Sequence, residues 1–239
     1  MIPFSVIIPA FNEAQILGGT LSHLPVAPDL EIIVVDGGST DTTLQVAAGF
    51  PGVKMLSAPQ GRGSQMNAGA LASSGRFLVF LHADTQIAPE HVNALRTAAA
   101  DPEFHAGAFE LKLTPAVPAL RFISWGANRR ARLLGLPYGD QVLIIRRNLF
   151  FALGGFTHRR PEDLDLVVRL RGRTCLRLLS PPVASSGRRW LKSGYFHTTL
   201  KNWLFLARHL AERALTSRWP EQGDIMSVRN EQRIVHSNQ

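Results

Sequence analysis

The residues best equipped for chemistry stand where apolar runs end. Phe77-Leu78-Val79-Phe80-Leu81 stops at His82-Ala83-Asp84-Thr85, not at the glycine, asparagine or proline that usually closes a strand. A carboxylate there has two uses. It can cap the helix that Pro89 opens, or it can hold a divalent cation. Mg²⁺ prefers oxygen ligands, whereas Mn²⁺ also accepts an imidazole such as His82; His82 serves equally well as a hydrogen-bonding group. A second carboxylate, Asp36, ends Glu31-Ile32-Ile33-Val34-Val35 and precedes Gly37-Gly38. It can accept hydrogen bonds from a ligand that the glycines let approach, or lock its own loop as an Asx-turn. The third centre is the pair Glu162-Asp163. A carboxylate within hydrogen-bond reach of a hydroxyl can take its proton as the oxygen attacks; the bland alternative is an acidic first helical turn favoured by the dipole.

Other polar groups could support these three. Arg62, in "QGRGSQMNAG", offers a guanidinium fork for phosphate or base. Its G-x-G does not follow the first strand, as a dinucleotide fingerprint requires, so taken alone it is a flexible loop. Glu13 can serve a ligand or the N-terminus of the first helix. Asp140 and Gln141, in "YGDQ", could face a ligand or build a turn.

These positions need a scaffold, and the periodicity supplies one. Ser5–Ile8 reads as a first strand, then Asn12 as an N-cap with Gln15 three residues on and Leu17, Leu21 and Leu24 at helical spacing. Residues 31–36 are a second strand. Ser39 or Thr40 is placed to cap a helix through Ala48. Residues 53–56 form a third strand, 61–74 a loop turning into a small-residue helix, and 76–81 a fourth strand. Near-continuous apolar strands alternating with helices predict a parallel sheet covered on both faces. Ligands of such sheets bind outside the carboxyl ends of the strands, which puts Asn12, Glu13, Asp36 and Asp84 on one rim. Beyond it, strands are predicted at 106–113, 141–147 and 173–179, with helices near 117–134 and at 162–171. A last amphipathic helix over 195–215 would put Phe196, Leu200, Trp203, Ala207, Leu210 and Ala214 on one face, opposite Lys201, Arg208 and Arg213. It would pack on its own domain or lie on an acidic membrane.

The chain has 239 residues, 45% hydrophobic and 18% charged, which suits a well-cored globule. No apolar run is long enough to span a bilayer, and the N-terminus does not read as a signal peptide. Cys175 is the only cysteine, which fits a reducing cytoplasm. The net charge of +8 is uneven: residues 1–120 carry 5 Lys/Arg against 10 Asp/Glu, and residues 121–239 carry 21 against 8, or −5 and +13. The second half is therefore expected to meet something anionic, or to present a basic solvated surface.

Five stretches in order, "SVIIPAFNEA", "EIIVVDGGSTDTT", "GRGSQMNAGALASSGRFLVFLHADT", "GGFTHRRPEDLDLVVRL" and "SSGRRW", resemble the family 2 glycosyltransferases, and within them a small bacterial subgroup carrying "HADT" and "GRRW". The resemblance spans roughly residues 3–190. It implies a GT-A fold (α/β, a Rossmann-like, mostly parallel sheet with helices on both faces), a nucleotide-sugar donor, UDP-linked by family habit, a divalent cation (Mn²⁺ or Mg²⁺) and inversion at the anomeric carbon. By the family pattern Pro9, Phe11 and Glu13 line the nucleotide site, Asp36 takes uracil or ribose, and Arg62 and Asn67 lie in a loop near base and sugar. His82 falls beside them, Asp84 is the last carboxylate of the D-x-D motif and the metal contact, and Asp163 is the catalytic base with Glu162 beside it. "SSGRRW" is similar to the Q-x-x-R-W motif of processive members, with Ser186 in place of glutamine, which speaks against polymer synthesis. There Arg188 and Arg189 could clamp diphosphate and Trp190 stack a sugar, or the segment is a basic loop over a packed Trp.

The resemblance divides the chain into a nucleotide-sugar half (1–115), an acceptor half (116–219) and a polar, frayed tail (220–239). The acceptor is open, with an anionic or lipid-linked molecule compatible with the charge and with peripheral contact at the inner face of a membrane. No nucleic acid is expected, because no recognisable nucleic-acid motif accompanies the basic residues; a basic nucleic-acid or membrane-surface binder without catalysis is the rival reading. A sugar-1-phosphate nucleotidyltransferase would want a Gly-rich phosphate loop and a lysine directly after the first strand, and "PAFNEAQ" has neither.

Overall fold

A computed structural model of the chain describes residues 3–157, 161–199, 204–205 and 207–208. The apolar runs become strands because β-branched and aromatic side chains fit a buried pleated surface. The first half gives β1 (Phe4–Ala10), α1 (Ala14–His23), β2 (Leu30–Asp36), α2 (Thr43–Ala48), β3 (Val53–Ser57), α3 (Arg62–Ala72), β4 (Phe77–Phe80), β5 (Thr85–Gln86) and α4 (Pro89–Ala100). Then come β6 (Ala106–Thr114), α5 (Pro118–Leu134), a 3₁₀ turn at Gly139–Gln141, β7 (Leu143–Arg146), α6 (Arg147–Ala152), α7 (Glu162–Arg171), β8 (Leu176–Ser186) and α8 (Arg188–Ser193).

The strands form one sheet in the order β3-β2-β1-β4-β7-β6-β8-β5. β3, β2, β1 and β4 are parallel, as unbroken apolar runs predict. Past β4 the sheet is mixed: β7 runs antiparallel to β4 and β6, β8 parallel to β6, and β5 antiparallel to β8. β6 thus pairs only with strands of the second half. Side chains alternate across the sheet. Phe4, Val6 and Ile8 of β1 join one core with Leu17 and Leu21 of α1, Ala47 of α2 and Leu95 of α4. Ile7, Ile33 and Val35 join the other with Met66 of α3, Phe150 of α6 and Leu166 and Leu170 of α7. A third, small cluster of Leu111, Leu113, Leu120 and Trp190 fastens α5 and α8 to the end of β6.

Several local expectations change. Asn12 is not an N-cap: α1 follows Glu13, while Asn12 has φ 53° and its Oδ1 accepts the Thr40 N–H at 2.9 Å, tying two loops together. The second helix starts at Thr43, with Asp41 accepting the Thr43 N–H at 2.9 Å, so neither Ser39 nor Thr40 caps it. Arg62 and Asn67 lie on α3 itself, not in a loop before it. β8 does not stop at residue 179. Pairing with β6 jumps from Phe109↔Leu179 to Leu111↔Val183, so Ser180-Pro181-Pro182 fill an irregularity where proline's missing N–H is tolerated. Residues 195–199 are helical, but Phe196 is 81% exposed instead of facing a core. Leu200, Lys201, Trp203, Leu210, Arg213, Ala214 and the tail 220–239 lie outside the described residues.

Candidate active site

The site is built where β1, β2 and β4 end. Parallel register sets Ala10 beside Asp36, and β4 delivers the turn that carries His82 and Asp84. That turn is held from three sides: Thr85 N–H donates to His82 O at 3.1 Å, the Thr20 hydroxyl to Ala83 O at 2.5 Å, and Ser186 N–H to Asp84 O at 3.1 Å. Thr85↔Ser185 and Gln86↔Ala184 then pair as a two-residue ladder, with the Thr85 and Ser185 hydroxyls 2.9 Å apart. This short ladder is what brings "GRRW" to "HAD". Asp84 caps no helix: α4 starts after Ala88, whose N–H donates to His91 Nδ1 at 3.0 Å. Its carboxylate is free for the site and lies 3.3 Å from Arg188 Nε.

Gly187 makes the turn into α8 possible. A Cβ there would lie 2.5 Å from Leu120 Cδ1 and 2.9 Å from Thr114 O, so only glycine lets α8 reach the rim. Arg188 then extends back to the β1 loop, with Nη2 2.9 Å from Glu13 Oε1. Glu13, with Asp84 adding to it, holds this guanidinium above its already high pKa despite partial burial.

The opposite wall is α7. Glu162 and Asp163 open it after Pro161, and Glu162 Oε1 lies 2.8 Å from Arg62 Nε. Two backbone groups orient Asp163: Oδ2 accepts Gly139 N–H at 2.8 Å and Oδ1 accepts Leu164 N–H at 2.8 Å. Gly139 also sits under His82, whose Nε2 would lie 2.9 Å from a Cβ at that position. Behind α7 the buried Arg169 bonds Asp165 at 2.9 Å, Leu153 O at 2.7 Å and Gly155 O at 2.6 Å, fixing the α6–α7 connection.

Burial governs two titrations. His82 is pushed down to about 4, by desolvation first and by Arg62, with Asp84 and Asp163 opposing, so its imidazole is neutral near pH 7. Asp140 is pushed up from 3.8 to about 6 by desolvation, Asp163 and Asp84 adding and Arg130 and Arg189 opposing. Its Oδ1 is buried without a hydrogen-bond partner among the described residues.

One pocket of about 850 Å³ gathers Arg62, His82, Asp84, Asp140, Glu162, Asp163, Arg188, Arg189 and Trp190. Six other sequence candidates do not line it. Glu13 touches it only through Arg188. Pro9 is buried within β1, and Phe11, just beyond, is 38% exposed. Asp36 is 3% exposed and spends its carboxylate on its own loop, accepting Gly38 N–H at 2.9 Å and Ser39 N–H at 3.0 Å. Asn67 pairs both amide atoms with the Phe156 backbone at 2.9 Å. Gln141 is fully buried, its Nε2 3.1 Å from Phe109 O. Tyr138, Lys192, His197 and Thr198 also line the pocket. Tyr138 adjoins "GDQ" and Lys192 follows "GRRW" by two positions, so proximity to a motif was their signal; His197 and Thr198 had none.

Among the described residues no group of three His, Cys, Asp or Glu side chains could hold a metal. No described helix is long and apolar enough to cross a membrane.

The sequence model of the family described as "Glycosyl transferase family 2" matches residues 5–160. A "PGL/p-HBAD biosynthesis glycosyltransferase" of Mycobacterium bovis is 37% identical over 92 residues, 35% of this chain and 36% of that one. A "Validoxylamine A glucosyltransferase" of Streptomyces hygroscopicus subsp. limoneus is 33% identical over 115 residues, 41% of this chain and 24% of that one. The matched part thus spans about a third or less of these curated relatives. Among solved structures, the mannosyltransferase PcManGT from Pyrobaculum calidifontis, in complex with GDP-Man and Mn²⁺, superposes with a TM-score of 0.66 at 22% identity over 95% of this chain and 68% of that one. S. aureus TarS 1–349 in complex with UDP superposes with a TM-score of 0.62 at 19% identity, over 77% and 60%. The curled, mostly parallel sheet with helices on both faces is therefore the GT-A fold of these transferases. With the family match covering residues 5–160, more than half of the chain, the chain belongs to glycosyl transferase family 2.

Proposed function

We propose that this protein is an inverting glycosyltransferase that moves a hexose-type sugar from a UDP-linked donor to an acceptor hydroxyl. The observation that carries this reading is the pocket in which Asp84, the Glu162-Asp163 pair and the arginines 62, 188 and 189 face one another. Asp163 is the base. Two backbone N–H groups fix its carboxylate, and each oxygen keeps a second lone pair for the acceptor hydroxyl. As the acceptor oxygen attacks the anomeric carbon, Asp163 takes its proton and the nucleoside diphosphate departs from the opposite side, which inverts the centre. Arg188 and Arg189 bind the departing diphosphate by charge-assisted hydrogen bonds, and Arg62 is held ready by Glu162. Trp190 shapes the acceptor side, which suits an anionic or lipid-linked molecule.

A divalent cation fits, on the chemistry of the donors. Asp84 offers a carboxylate and His82, two positions before it, a neutral imidazole. Two protein donors suffice for a cation whose other positions are filled by diphosphate oxygens and water, and a mixed O/N pair favours Mn²⁺ over Mg²⁺. Such a cation, when bound, would offset the negative charge gathering on the leaving group. PcManGT with GDP-Man and Mn²⁺ and glucosyl-3-phosphoglycerate synthase with Mn²⁺ and UDP support this at the level of the fold.

Calorimetric titration of UDP, GDP and UDP-sugars, with and without Mn²⁺, tests the reading. UDP is expected to bind in a Mn²⁺-dependent manner that Asp84→Asn abolishes. Absence of any nucleotide binding would sink the transferase reading, and preference for GDP would correct the donor.

A further inference from the structure

Among the described residues α5 carries an exposed apolar surface. α5 presents Arg121, Phe122, Trp125, Arg129, Arg132 and Leu133 to solvent. Their spacing, 0, 4, 8, 11 and 12 residues beyond Arg121 with Phe122 beside it, follows the helical repeat and makes one stripe. Phe122 is 71%, Trp125 55% and Leu133 72% exposed. The Phe122 and Trp125 rings stack at 5.6 Å, and the Arg129 guanidinium lies 5.3 Å over Trp125. The inner face of the same helix is firmly held: Leu120, Ser124 and Ala131 are buried, and Asn128 bonds both backbone atoms of Leu111, at 2.7 and 3.0 Å. Among the described residues α5 packs on β6 and β8. The stripe is therefore a rigid outer face that pairs aromatic rings with arginines.

We infer that the outer face of α5 is a docking surface for an anionic lipid bilayer. Trp and Phe rings settle at the headgroup boundary while arginines reach anionic phosphates, which is the composition of an interfacial helix. The +13 charge of residues 121–239 complements such a surface. A two-fold contact with a second copy is disfavoured, because it would set the arginine stripe against itself. Leu133 and Phe122, at the two ends of the stripe, suit acyl chains better than a nucleic-acid backbone. This inference rests on surface chemistry and stands apart from the transfer reaction.

The test is flotation of the full-length protein with vesicles of phosphatidylcholine alone or mixed with phosphatidylglycerol, in the absence of nucleotide. Binding is expected on the anionic vesicles and is expected to weaken with salt. Arg121→Gln with Arg129→Gln should weaken it about thirty-fold, at about fivefold per surface arginine. Phe122→Ser with Trp125→Ser should weaken it on the order of tenfold or more. Both double variants replace exposed side chains, so melting temperatures should match the parent and certify the fold. The inference is overturned by absence of binding to anionic vesicles, or by binding that both variants retain, which would place the contact elsewhere. It is equally overturned if the parent is a dimer that Phe122→Ser/Trp125→Ser dissociates, or if this face binds RNA but not anionic vesicles.

Discussion

Replacing Arg169 by methionine should unsettle the wall of the pocket from behind. Arg169 is 3% exposed and its partner Asp165 is fully buried. The guanidinium meets Asp165 Oδ2 at 2.9 Å through Nε, and donates to Leu153 O at 2.7 Å and Gly155 O at 2.6 Å. Methionine fills much of the volume but takes one cation from a buried carboxylate, which keeps the Thr157 hydroxyl at 3.0 Å, and removes this donor from two carbonyls. Breaking such a pair from one side costs about 3–5 kcal/mol. At roughly 2.1 cal/mol/K per residue, unfolding 239 residues carries an entropy of about 0.5 kcal/mol/K, so the melting temperature should fall by about 6–10 °C. Scanning calorimetry reads this directly. Asp165→Asn added to Arg169→Met should recover part of the loss, since a buried carboxylate deprived of one cation is replaced by a neutral amide, and Arg169→Lys should recover little, because one ammonium cannot span three acceptors. An Arg169→Met protein melting within about 2 °C of the parent would refute the reasoning.

Two further outcomes follow from the site itself. Gly139→Ala would place a Cβ 2.9 Å from His82 Nε2 and 3.1 Å from Asp163 Oδ2, pushing both aside; turnover of a UDP-sugar, read as UDP release, should fall on the order of 10²-fold, with Mn²⁺-dependent UDP affinity falling as well because His82 is a proposed cation donor, and turnover equal to the parent's would contradict it. Asp140 titrates at about 6 when folded against an ordinary 3.8. Between those values the folded state holds a proton that the unfolded chain has lost, so stability falls as pH rises through this window. The stability gained by Asp140→Asn over the parent should therefore grow from about pH 4 to about pH 6 and level off above, measured by urea denaturation; a gain that shrinks with rising pH would overturn the assignment.

What could be read from the chain depended on range. "EIIVVD" and "EDLDLVVRL" declare a buried strand and a helix with an acidic first turn from their own residues, and α7 has the predicted bounds of 162–171. The rim followed too, because parallel strands put their carboxyl ends together. Long-range pairing did not. Nothing local in Thr85-Gln86 announces a strand; it exists because Ser185 and Ala184 meet it a hundred positions later. Pro181-Pro182 hid the continuation of β8, since only the bulge opposite β6 makes prolines acceptable there. Asp36 and Gln141 bore the right chemistry for a ligand, and their commitment to backbone partners depends on folding that residue type does not disclose.

The order of strands has a consequence for biosynthesis. Synthesis proceeds from the N-terminus, and β4 finds its antiparallel neighbour only when Phe77 can meet Arg146. Until then a nascent four-stranded unit ends in an open, wholly apolar edge, the kind of surface that recruits foreign strands or chaperones. The ladder between β5 and β8 closes later still. A chain released after β7 but before Gly187 would carry Arg62, His82 and Asp84 without Arg188, Arg189 and Trp190, so the pocket is completed only once α8 has been made.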